Sequence, residues 1–108
     1  MIFQVSSASA EPVTTLELLT QIVYRVEVAS YCGLVDESVA RGFRARRDAI
    51  IENGNINDNE IEKANANAWK AANAEWQNRG LGGFKNWCRT EGLESARYFK
   101  DIDDSEGD

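Results

Sequence analysis

Thr15-Leu16-Glu17-Leu18-Leu19-Thr20-Gln21-Ile22-Val23-Tyr24-Arg25-Val26-Glu27-Val28-Ala29-Ser30-Tyr31-Cys32 is the stretch on which the fold turns. At 100° per residue, Leu16, Leu18, Leu19, Ile22, Val23, Val26 and Ala29 fall within one arc of about 160°. Glu17, Gln21, Arg25 and Glu27 lie on the other side. A half-buried strand needs alternation of period two, and no stretch of this chain alternates over five residues. The segment therefore predicts a helix over about 15–32. Thr14 or Thr15 caps its start, and Gly33 takes the left-handed position after it. Tyr24, Val28 and Tyr31 fall outside the arc. A terminal helix carrying Leu93, Ala96 and Phe99 is expected to cover them; uncovered, they would be an apolar contact strip.

Working outward, the same period recurs between clear start and stop signals. Asp36 caps a helix over about 37–53, with Val39, Ala40, Phe43, Ile50 and Ile51 on one side and Gly54 as the stop. Gly42 inside it costs about 1 kcal/mol against Ala and would permit a close helix crossing. Asn57 and Glu60 resemble a capping box before a helix over about 58–79, which Gly80 ends. Its apolar arc holds Ile61, Ala64, Ala68, Trp69, Ala71, Ala72 and Trp76. After Gly80-Leu81-Gly82-Gly83, short helices are expected over about 83–90 and 93–100, with Gly92 breaking the phase between them. The fold class read from this pattern is all-α: a small antiparallel bundle of four to five helices with short connections.

Cys32 and Cys88 share no metal-ligand spacing and form no C-x-x-C motif, so one disulfide is expected. On the chain-entropy model a bridge over so long a loop stabilises by about 4 kcal/mol. Ala8-Ser9-Ala10 before Glu11-Pro12 matches a signal-peptidase site. Residues 1–10 are read as a remnant of a signal peptide, and the protein as exported, to a bacterial periplasm or secreted. Residues 11–100 form a single helical domain. The formal charge is −6, from 18 acidic and 12 basic residues among 108. Five of those acids lie in residues 101–108, leaving 13 acids against 12 bases before them. That end is expected to be a disordered acidic tail, and the domain itself to be nearly neutral. Asp101, Asp103 and Ser105 alternate as calcium ligands do. Glu106 nevertheless stands where an EF-hand loop requires Gly, so no metal is expected.

The chain contains no His, which removes Ser-His-Asp and Cys-His catalysis and His-ligated metals. No cofactor motif is present: Gly80-Leu81-Gly82-Gly83 fits neither phosphate-binding pattern. Arg41, Arg44, Arg46 and Arg47 are balanced by Glu37, Asp48 and Glu52, so no nucleic-acid partner is expected. No apolar run is long enough for a membrane span. Glu75 falls inside the apolar arc of the third helix, where burial would favour its protonated form unless a cation answers it. Arg79 stands four residues on, and Arg47 is a second candidate partner. Trp69, Glu75, Trp76, Arg79 and Trp87 are the candidate binding residues; none is assigned as catalytic. The function class expected is a non-enzymatic exported helical protein that binds a protein partner or a small apolar ligand. The alternatives are an enzyme using Glu75 or Glu91 as acid or base, and a structural or stress-protective exported protein.

Overall fold

A computed structural model describes residues 13–106, apart from the side chains at 80–82. The chain is an all-α bundle of four helices, with no strand among the described residues: α1 (Thr15–Tyr31), α2 (Glu37–Gly54), α3 (Asp58–Trp87) and α4 (Leu93–Glu106). A π-helical turn, Cys88–Gly92, joins α3 to α4. The A-x-A motif lies outside the described residues.

The helix starts are fixed by side chains that replace missing backbone partners. Thr14 Oγ1 accepts the Glu17 N–H at 3.0 Å, and the Glu17 carboxylate accepts the Thr14 N–H at 2.9 Å. Asn57 and Glu60 make the same reciprocal pair, at 2.8 and 3.2 Å. Asp36 accepts the Val39 N–H at 2.9 Å. At the end of α2 the left-handed residue is Asn55, with φ 50°, rather than the predicted Gly54, which is still helical. Asn tolerates that conformation because its short polar side chain bonds locally.

Direction reverses from α1 to α2 and again from α2 to α3, but the heaviest packing is between helices that run parallel. Thr15 lies against Gly54, at the foot of α3, while Tyr31 reaches Asn73 and Trp76 farther along it. The helices α1 and α3 thus run side by side in the same sense. Likewise α2 and α4 are tied by Arg41–Asp103 at 3.0 Å and Lys100–Asp36 at 3.4 Å. Gly42 makes this pairing possible, because a Cβ there would overlap the Phe99 carbonyl of α4. By contrast, α2 and α3 do not pack on each other, although only residues 55–57 separate them. The main core, including Leu19, Ile22, Val39, Ile50, Ala68 and Phe99, draws on all four helices.

Two expectations about the C-terminal half are corrected. Helical hydrogen bonding continues through the predicted break at 80–83, so the segments expected at 58–79 and 83–90 form one element. Yet Ala72 and Trp87 share a buried cluster. A straight helix would hold residues fifteen apart at a separation of about 22 Å. The axis therefore turns between them. Secondly, the expected disordered tail is helical as far as Glu106. Asp103 is anchored by the Arg41 guanidinium, and Ile102 packs against the main core. Charge composition alone could not reveal that Arg41 of α2 faces this end.

Cys32 and Cys88 are joined, with Cα atoms 5.3 Å apart. The bend in α3 and the π turn bring Cys88 over the end of α1. A Cβ on Gly92 would stand 2.8 Å from Cys32 Sγ, so only Gly fits beside the bridge.

Candidate functional site

Four of the five predicted binding residues meet at the disulfide pole. Trp76 is 42% exposed and stacks on Tyr31, with ring centroids 5.4 Å apart and planes 18° apart. Tyr31 donates its hydroxyl to Asn73 Oδ1 at 2.9 Å. Glu75 is ion-paired with Arg79, as the i,i+4 spacing predicts. It is not sequestered in the core: its side chain retains 40% exposure. Arg47, the second predicted partner, pairs with its neighbour Asp48 at 3.1 Å instead. The Arg79 guanidinium sits 5.6 Å from the Trp87 ring centroid and 3.9 Å from Glu91. Trp87 itself is 2% exposed, a core residue beneath the pole, and its indole N–H has no hydrogen-bond partner.

This cluster also settles how Tyr24, Val28 and Tyr31 are covered. Val28 is fully buried against Ala72 and Trp87, with both tyrosines packed on the same cluster. Val28 and Tyr31 are thus covered by α3 rather than by the predicted Leu93, Ala96 and Phe99, whereas Tyr24 also packs against the core cluster that holds Ala96 and Phe99. Ala96 and Phe99 belong to the main core, and Leu93 is 40% exposed.

Trp69 stands apart. Half-exposed, it lines a cavity of about 740 Å³ in the cleft that α2 and α3 leave between them. Each wall presents residues at i, i+4 and i+8: Phe43, Arg47 and Ile51 from α2, then Ile61, Asn65 and Trp69 from α3. Val23 and Val26 of α1 form the floor, with Glu27 beside them. The Arg47 guanidinium covers the Phe43 ring at 5.5 Å and holds Asp48 at the rim. Glu27 is partly buried, and no ion pair engages it among the described residues.

Sequence reasoning missed this groove, although its residues carry helical spacing. The wheel assigns Phe43 and Ile51 to the core face and Glu27 to solvent. It cannot say that the consecutive helices α2 and α3 fail to meet.

On the other flank of α3, a smaller cavity of about 410 Å³ lies among α1, α3 and α4. Ala68 and Ala71 line one side, facing Tyr24, Arg25, Glu91 and Glu94. Tyr24 donates its hydroxyl to Glu91 Oε1 at 3.2 Å. Burial, followed by the Glu91 charge, pushes the Tyr24 phenol up to about 12. A phenol so placed is a hydrogen-bond donor at neutral pH and no base. Among the described residues, no group of three or more Cys, Asp or Glu is arranged to hold a metal ion. Nor is any described helix long and apolar enough to cross a membrane. Comparison with protein-family models, with curated proteins and with solved structures finds no match to this chain.

Proposed function

We propose that this is a non-enzymatic binding protein whose α2–α3 groove receives an amphipathic helix of a partner protein. The observation that carries the reading is that two consecutive helices leave an apolar cleft between them, with a half-exposed Trp69 on its wall. Residues at i, i+4 and i+8 on both walls make two ridges about 12 Å long. A third helix packs its own ridge between such rows, and helix-in-groove recognition uses that geometry. Small apolar ligands fit the volume, but the open, two-ridged form favours a helix.

We further propose that the protein is exported; the disulfide supports this, since such bonds persist in oxidising compartments. The enzyme alternative draws little support from the pole. Glu75 and Glu91 both face the Arg79 guanidinium, which ties them as ion-pair partners.

The test is a titration with a neutral 15-residue amphipathic peptide of Leu and Gln, read by tryptophan fluorescence. The expected result is a saturable spectral shift that survives Trp76→Phe and is lost in both Trp69→Phe and Ile51→Ser. A peptide that gives no shift, or a shift indifferent to the last two substitutions, rejects the groove as the binding site.

A further inference from the structure

We infer that the helix taken by this groove is basic on its apolar margin, and that Glu27 is the residue that selects it. The inference rests on the groove being the binding site. It adds the charge of the partner, which follows from where the carboxylates stand.

Glu27 lies beside the Val23 and Val26 floor, partly buried, with no ion pair among the described residues. The single cation lining the groove, Arg47, is already committed to Asp48 and to the face of Phe43. The groove thus holds two carboxylates against one engaged guanidinium. Covering a carboxylate with an apolar helix strips its water and leaves it uncompensated, which is costly unless the incoming surface brings a cation. A Lys or Arg one turn from the apolar stripe of the partner can lay its methylene stem along Trp69 or Val26 and set its charge against Glu27. An acidic helix meets repulsion at the same place, so the pattern both attracts one class and rejects another.

The experiment compares three 15-residue peptides with one Leu stripe and with Lys, Gln or Glu beside it, titrated into the full chain and read at Trp69. The Lys peptide is expected to bind about five- to tenfold tighter than the Gln peptide, the scale of one partly exposed ion pair. The Glu peptide is expected to bind weakest. The Lys advantage should shrink when salt rises from about 0.05 to 0.5 M. Glu27→Gln removes that advantage and tightens the Gln peptide, because the carboxylate whose water that peptide strips is gone. Glu94→Gln, the same charge change at the other cavity, preserves it and thereby separates a local effect from the net charge of the chain.

Equal binding of the Lys and Gln peptides, or an advantage that survives Glu27→Gln, overturns the inference while the groove remains the binding site. Failure of all three peptides to perturb Trp69 overturns both. Sedimentation showing a dimer with Trp69 occluded assigns the groove to a second copy of the chain and also overturns the inference.

Discussion

Replacing Gly42 by Ala should destabilise the protein, against the usual trend for a glycine inside a helix. On propensity alone the change gains about 1 kcal/mol. The close passage of α4 reverses the sign. An added Cβ would stand 2.6 Å from the Phe99 carbonyl carbon and 3.0 Å from its Cα, where ordinary carbon contacts are about 3.5–4.0 Å. The obstacle is backbone on both helices, so no rotamer change relieves it. The α4 helix must recede by about 1 Å, a gap that forfeits a quarter to a half of the dispersion energy of the contacts it opens. Those contacts include the fully buried Phe99 and its edge-on approach to Phe43 at 5.7 Å. Overpacking of this kind costs about 1–3 kcal/mol and more when backbone is involved. Net of propensity, we expect a loss of about 2 kcal/mol, or a fall in Tm of roughly 8 °C for a domain of this size. Urea unfolding of the oxidised protein, followed by circular dichroism, measures it. A Gly42→Ala protein as stable as the parent, or more so, would refute the α2–α4 crossing and the packing built on it.

Four further outcomes are expected. Replacing Cys32 and Cys88 together by Ser should cost about 4 kcal/mol in urea unfolding; a loss below about 1 kcal/mol would mean that the bridge does not hold the α3 bend. Asn57→Ala should cost about 1 kcal/mol through loss of the α3 cap, and an unchanged urea midpoint contradicts the capping geometry. Asp36 is held down to about 2 by the Val39 N–H, the Ser38 hydroxyl and nearby Lys100, against an ordinary value of 3.8. A depressed carboxyl contributes stability above its unfolded value and loses it as pH falls through its folded one. Stability should therefore decline between about pH 4 and 2, and less steeply in Asp36→Asn; parallel acid profiles would count against this role. In alkaline titration followed by phenolate absorbance, one of the three tyrosines should ionise near 12, and Tyr24→Phe should remove that step. Ionisation of all three near pH 10 would contradict the partly buried Tyr24–Glu91 contact.

The legibility of the candidate site in the sequence was uneven, for identifiable reasons. The Glu75–Arg79 pair follows from i,i+4 spacing and is present. Trp76 and Trp87 were both legible as aromatics near that pair, but not which of them is buried. The difference comes from the turn of α3, which folds Trp87 back beneath Arg79 and leaves Trp76 on top of Tyr31. Trp69 shares a helix with these residues yet belongs to another site, because each flank of α3 faces a different neighbour. Glu27 reads as an ordinary solvent residue on a wheel. Its significance depends on a cleft formed by two other helices.

The sequence by itself determined what is local. Helical period, the Thr14, Asp36 and Asn57 caps, and the all-α class are properties of residues within a few positions of one another, where spacing on a single helix decides geometry. An even pair of cysteines pointed to the bridge. Tertiary structure alone decided what depends on the relative placement of helices. It set the parallel pairing of α1 with α3 and α2 with α4, the bend that makes one element of two predicted ones, and the anchoring of the acidic end by Arg41. Above all it separated α2 from α3 and so opened the groove. A periodic sequence fixes which face of a helix is apolar; the competition among all such faces for the same core fixes which of them remains uncovered.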